Sequence, residues 1–439
     1  LILVVTAAAL TWVGAVDHAP GAMSKPSLVI LTATLATLLL LGWWLLFSRA
    51  PWWARLVGLV IVAGLGWGAR HFLEIRGFTG DLTPQVAWRG ALESDPGPLP
   101  VEPVETATAV AAPAGEAEEG TASDSGEAAP GADVVPAAPP PGPSFAQFLG
   151  PNRNATLCGI HLAHEWEARP PDEVWRRPMG TGWAGFAVAN GLAVTQEQRG
   201  GRGIVVAYDL ETGAVRWSHE GGTGFTGTLA GDGPRATPTL HGGRAYAFGV
   251  DGWLRALDLA TGQLVFERDV LGENNGRAPD HGIASSPLVL DGLVVVVAGG
   301  PHGRSLVAYD AVTGEPRWSG GDAGAGYSSP LLATLAGVRQ IVVFNLQGLV
   351  GHDVGTGEVL WTDAWPARPE KVSQPVVLGD DRLFASMGYG VGGRLVQIVR
   401  HPDGGLDANV LWETCLLYTS PSPRDQLQHL VCRLLLEKR

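Results

Sequence analysis

Cysteine is scarce: Cys158, Cys415 and Cys432 are the only three in 439 residues. They form neither an even, closely spaced set nor a CxxC pair, which excludes a disulfide framework and a thiolate zinc site. No CxxCH occurs, so no covalently attached haem is expected. Basic residues are in deficit. Thirty Lys and Arg face 43 Asp and Glu, a formal charge of −13. Phosphate binding is mostly Lys/Arg neutralisation, so no nucleic acid partner is expected. GxSxG, HExxH and P-loop patterns are missing. Gly180–Trp183 and the glycines near residue 220 precede no helical pattern that could hold a phosphate.

A starting methionine is also lacking, and the tail is anomalous. Residues 415–425 (CLLYTSPSPRD) and 429–438 (HLVCRLLLEK) resemble translated sequencing-adaptor oligonucleotides. Residues 415–439 are therefore set aside, as an expression scar would be. The tail holds four basic and two acidic residues, so the remainder has 26 basic against 41 acidic. The chain reads as a fragment at both ends.

What is present begins with apolar runs. Within residues 1–75 they cover about 1–16, 28–47 and 52–69, the second being 20 residues without a charge. That length crosses a hydrocarbon core of about 30 Å. Trp43, Trp44, Trp52 and Trp53 cluster at the loop between the second and third, as rings at a bilayer interface do. Arg49 and Arg55 flank that loop, and the positive-inside bias puts it in the cytoplasm. Arg70, Arg76 and Arg89 pull weakly the other way. Everything after the third span is expected outside the cytoplasm of a bacterial inner membrane, on the periplasmic side. Residues 76–144 read as a linker. From Ala91 to Ser144 it is rich in Ala, Pro, Glu and Gly, with ten acidic residues and no Lys or Arg, a composition expected to stay disordered.

From Trp175 the chain becomes periodic. Ala207–Trp217 (AYDLETGAVRW), Ala256–Phe266 (ALDLATGQLVF), Ala308–Trp318 (AYDAVTGEPRW) and Gly351–Trp361 (GHDVGTGEVLW) align without gaps. Their repeated residues are Asp209, Gly213 and Trp217; Asp258, Gly262 and Phe266; Asp310, Gly314 and Trp318; and Asp353, Gly357 and Trp361. A second mark, ATP, SSP, SSP and SQP, ends at Pro238, Pro287, Pro330 and Pro375. A period of 40–50 residues indicates stacked supersecondary units. Each reads as four short strands punctuated by DG, GG and TG turns: in the second, Thr237–Leu240, Arg244–Gly249, Trp253–Asp258 and Gln263–Arg268. The fold class is therefore all-β, a propeller of about five blades over 145–414 preceded by transmembrane helices. Any helix across Trp175–Trp412, or those tryptophans scattered in solvent, would end that reading.

AxDxxTGxxxW resembles the tryptophan-docking repeat of the pyrroloquinoline-quinone (PQQ) propeller family. FAQFLGPNRN (Phe145–Asn154) is similar to the QFRGPNR entry segment of secreted bacterial members. The resemblance implies seven or eight blades in a complete member. In the fourth unit Gly351-His352 replaces Ala-Tyr or Ala-Leu, read as tolerance. The resemblance also implies that function lies in loops at the channel top, where Glu197, Arg235, Glu273, Asn274, Asn275 and His281 are the candidates, beside Gln198, Arg199, Asp280, His302 and Tyr327. Quinoprotein dehydrogenases of this fold hold PQQ over a tryptophan floor beside Ca²⁺, and Glu273-Asn274-Asn275 alone has that ligand flavour. A solvated polar loop has the same composition. No cofactor is demonstrable from the residues; PQQ and Ca²⁺ remain possible. Two functions are thus implied: a tethered binding or scaffold module with a protein partner at its top face, or an alcohol or sugar dehydrogenase like the membrane-bound glucose dehydrogenases. Fold alone does not choose.

Overall fold

The computed structural model describes residues 35–37, 39–44, 46, 49, 51–78, 84–88, 144–160, 165–168, 170–227, 231–366, 371–388 and 391–414. The first apolar run, most of the second, residues 89–143 and the adaptor-like tail lie outside them. Helix α1, Trp52–Phe72, has 21 residues and no buried side chain. It is the one helix among the described residues long and apolar enough to cross a bilayer. Strands β1 (Leu73–Phe78) and β2 (Pro84–Trp88) follow as an antiparallel hairpin. Residues 76–78 and 84–88, assigned above to the linker, thus lie in a small sheet.

Five four-stranded antiparallel meanders follow. Blade 1 comprises β3 (Ala187–Ala189), β4 (Leu192–Arg199), β5 (Arg202–Asp209) and β6 (Val215–Thr223). Blade 2 comprises β7 (Thr239–His241), β8 (Arg244–Phe248), β9 (Trp253–Asp258) and β10 (Leu264–Asp269). Helix α2, Val270–Asn274, follows, then blade 3: β11 (Leu288–Leu290), β12 (Leu293–Gly300), β13 (Arg304–Asp310) and β14 (Pro316–Gly320). Blade 4 has β15 (Leu331–Leu335), β16 (Val338–Phe344), β17 (Gly348–Asp353) and β18 (Val359–Ala364). Blade 5 has β19 (Val376–Leu378), β20 (Arg382–Met387), β21 (Gly392–Arg400) and β22 (Leu406–Thr414). Among the described residues the single helix within this region departs from the all-strand expectation. It spans five residues of a blade-to-blade connection, started by Asp269, whose carboxylate accepts from Gly272 N–H, and it interrupts no blade.

Blades 2, 3 and 4 bury both faces against neighbours. Because side chains alternate along a strand, Val194, Val205 and Ala207 of blade 1 pack with Leu240, Ala245 and Leu257 of blade 2. Tyr246, Phe248 and Leu254 continue into Val294, Val307 and Tyr309 of blade 3. Val295, Val297 and Leu306 meet Ile341 and Val343 of blade 4, and Phe344, Leu349 and Trp361 meet Leu383, Val396 and Ile398 of blade 5.

The repeated signature welds these seams. Asp209 Oδ1 accepts from the N–H groups of Glu211 and Thr212 and from the Thr212 hydroxyl, and Asp258, Asp310 and Asp353 bind their own turns alike. These bonds hold the Asp209, Asp258 and Asp310 carboxyls below the usual range. The turn glycine, Gly262 at φ 72°, has no room for a Cβ, which would lie 2.6 Å from the Trp217 ring of the preceding blade. Trp217 Nε1 donates to Leu259 O at 2.8 Å. Trp175 docks on Gly213, Phe266 on Gly314 and Trp318 on Gly357 in the same way. The aromatic of one unit thus caps the turn of the next.

The ATP and SSP marks form a second weld at the inner strands. Gly185 N–H donates to Thr237 Oγ1, Thr237 N–H to Ser286 Oγ, Ser286 N–H to Ser329 Oγ and Ser329 N–H to Gln374 Oε1, at 2.9–3.2 Å. Each of these residues stands two positions before the first strand of its blade.

Candidate functional site

The meander topology gives the propeller two ends. Turns joining first to second and third to fourth strands, including all four Asp-Thr-Gly turns, lie at one. The turns between middle strands and the blade-to-blade connections lie at the other, the loop end. Phe145 bridges to Val188 of β3, and Ala146 O accepts from Leu240 N–H of β7. The entry segment therefore crosses the inner strands near the Asp-turn end.

From there Arg153 enters the axis and is almost wholly buried. Its guanidinium donates to Gln147 Oε1, Pro330 O, Ser286 O, Pro287 O and Thr239 Oγ1, tying the inner strands of blades 2, 3 and 4. Desolvation pulls its pKa down to about 9. Five acceptors and no carboxylate make this a structural peg. The sequence displayed Arg153 inside an entry motif but gave no sign of where its side chain goes.

Of the six sequence candidates, four are used internally. Glu197 lies in β4 rather than in a loop and is fully buried. It pairs with Arg199 at 2.6 Å and accepts from Gly180 N–H and from Tyr208 OH; burial, then this carboxylate, push the Tyr208 phenol up to about 12. Glu273 sits in α2 rather than in an open loop, pairs with Arg268 at 3.0 Å and accepts from Tyr309 OH. The Asn274 amide donates to Val270 O and Tyr309 Oη. Asn275 is the left-handed C-cap at φ 54°. Ca²⁺ takes six to eight oxygens converging on one point. Here the carboxylate already faces an arginine and a phenol, and the amide presents its N–H₂, so this triplet does not fit the ion. Among the described residues no group of three or more His, Cys, Asp or Glu gathers elsewhere.

The remaining two, Arg235 and His281, come together with Tyr327, also named among the loop residues, and with Trp183 and Phe225, which were not. Arg235 donates to Gly233 O and Gly231 O at 2.6 and 2.7 Å, and its guanidinium lies 4.6 Å from the centre of the Phe225 ring. Desolvation lowers its pKa, opposed by Tyr327 and Asp232. Tyr327 stacks on His281 at 5.9 Å, and its Oη accepts from the His281 backbone N–H. Trp183, 56 % exposed, stands over Gly231, where a Cβ would touch Nε1. The loop end thus carries a cluster of Trp183, Phe225, Arg235, His281 and Tyr327. Arg235, His281 and Tyr327 were legible as polar or aromatic loop residues, whereas Trp183 and Phe225 lie in connections outside the docking pattern.

A profile described as "Outer membrane protein assembly factor BamB" matches residues 168–278 and 202–425. No curated protein sequence matches. Among solved structures, BamB from Moraxella catarrhalis is 24 % identical over 51 % of this chain and 58 % of its own, with a TM-score of 0.35. Quinohemoprotein alcohol dehydrogenase from Comamonas testosteroni is 17 % identical over 61 % and 49 %, with a TM-score of 0.44. A quinohemoprotein alcohol dehydrogenase from Pseudomonas putida HK5 is 18 % identical over 55 % and 43 %, with a TM-score of 0.38. The chain spans about half the length of these structures.

Proposed function

Starting from the fact that this chain belongs to the PQQ-like repeat propeller family described by BamB, we propose that it is a membrane-tethered, extracytoplasmic binding module that offers its loop end to a protein partner. The observation that carries this reading is the contrast between the two sets of candidates. The carboxylates are consumed inside the fold, whereas Trp183, Phe225, Arg235, His281 and Tyr327 gather around an exposed indole. Trp, Tyr and Arg dominate the energetics of protein interfaces, because they bury large rigid surfaces while keeping a hydrogen-bonding group. Tethering is supported by α1, a 21-residue helix apolar but for Arg55, Arg70 and His71, with no cover in the fold; the inner membrane of a bacterium, with the propeller on the periplasmic side, is the location this suits.

A photo-crosslinking residue in place of Trp183, in the full-length chain in its native membrane, tests the proposal. One polypeptide should be captured, and Tyr327→Ala should reduce that capture at least tenfold. Recovery of the chain alone rejects the binding reading. If the same preparation, given PQQ and Ca²⁺, instead gains a bound quinone absorbance and reduces an artificial dye with alcohols or sugars, the dehydrogenase reading replaces it.

A further inference from the structure

We propose that the β1–β2 hairpin is a bilayer-surface anchor, its apolar face lying in the headgroup boundary at the propeller side of the membrane. The inference rests on the tether reading of α1 and adds a second, different contact with lipid.

The hairpin starts without a loop. Leu73 caps α1 in an extended conformation, φ −109° and ψ 143°, with its N–H still donating to Ala69 O. The register pairs Leu73 with Trp88 and Ile75 with Val86. Directly opposed residues two apart on each strand share a face, so these four apolar positions form one side, while Glu74 and Ala87 occupy the other. Val86 is 54 % and Trp88 63 % exposed. An isolated two-stranded hairpin is marginally stable in water, so such a face requires cover.

Three observations point to lipid as the cover. The face is continuous with α1, through the Phe72 and Trp88 rings 6.5 Å apart. Aromatics stand at this end of the helix as well as at its start, with Trp67 stacked on His71 at 5.2 Å, as they do at a membrane–water boundary. Arg70 stands in the last turn of α1 beside this face, and guanidinium groups pair bidentately with phosphate.

The test uses the full-length chain, all native cysteines replaced by serine, in vesicles of phosphatidylcholine and phosphatidylglycerol. An environment-sensitive fluorophore is attached at Val60→Cys in one sample and at Val86→Cys in another. Lipids carrying a quencher deep in the acyl chain should quench the first at least threefold more than shallow ones, and shallow quenchers should quench the second at least twofold. Trp88→Ser should halve the shallow quenching at position 86. A quenched position 60 with a water-exposed position 86 overturns the anchor and leaves the tether. No quenching at either position overturns both.

Discussion

Two junctions between blades do the same work with different chemistry. Between blades 1 and 2, Trp217 reaches forward onto Gly262 and donates to Leu259 O. Between blades 4 and 5 the forward turn is gone: the β21–β22 connection reads His401-Pro402-Asp403-Gly404-Gly405, without Asp-x-x-Thr-Gly. Trp361 accordingly folds back over its own blade, where its Nε1 donates to Gln340 and its ring occupies the place a Cβ of Gly351 would take. Arg394 closes the outer seam instead. It pairs with Asp363 at 3.3 Å, donates to Ala364 O and stacks 4.8 Å from the centre of Trp365, whose Nε1 donates to Asp363. The repeat's indole therefore docks forward only where the next blade supplies a turn to receive it. Gly351, read from the sequence as tolerance, is the compensation for a missing receiver.

Mutations should separate the two junctions. The largest effect is expected at the docked one: Trp217→Ala removes a buried plate and its hydrogen bond and should cost about 3–5 kcal/mol, measured as the shift of the urea midpoint. A loss below 1 kcal/mol would mean that docking contributes little. Next, Gly351→Ala should cost about 1–3 kcal/mol by overpacking, whereas the reverse change at the equivalent Ala256, Ala256→Gly, creates no clash. Equal effects from the two would break the assignment of Gly351 to the folded-back indole.

The smallest effect concerns His352, which fills the position held by Tyr208, Leu257 and Tyr309 in the other blades. Its Nδ1 lies 2.9 Å from Gly357 O, while its buried Nε2 has no partner. Burial lowers its pKa, so the unfolded chain binds the proton more readily than the folded one. Stability from this site is full above the ordinary histidine value of about 6.5 and is lost as pH falls from there toward the folded value. His352→Leu, borrowing the residue of blade 2, should flatten the fall in melting temperature between pH 7 and pH 5.5. An unchanged slope would remove His352 from the account.

How much of this was legible varies with the kind of interaction. Turn chemistry is local: an Asp, a Thr and a Gly within five residues dictate their own hydrogen bonds, so blade boundaries could be read directly. The observed β7–β10 lie within two residues of the strands expected for the second unit. The ATP and SSP marks were visible as repeats, but their bonds run to residues 43–52 positions away, and nothing local reveals a partner at that range. Long-range placement also explains Arg153 and Glu197. A polar residue in a glycine-rich segment looks solvated until the topology surrounds it with carbonyls or an arginine. At the loop end, Arg235 and His281 were picked for residue type, while Trp183 and Phe225 carried no periodic signal at all.

The inner chain of hydroxyls has a polarity. In every link from Gly185 to Gln374 the earlier unit gives the proton and the later one receives it. Truncating Ser286 to alanine would therefore strand an amide in the unit upstream while leaving the downstream unit's own donor satisfied. A lesion in this ring is felt by the neighbour behind it, so hydrogen exchange would map the harm one repeat before the mutated residue.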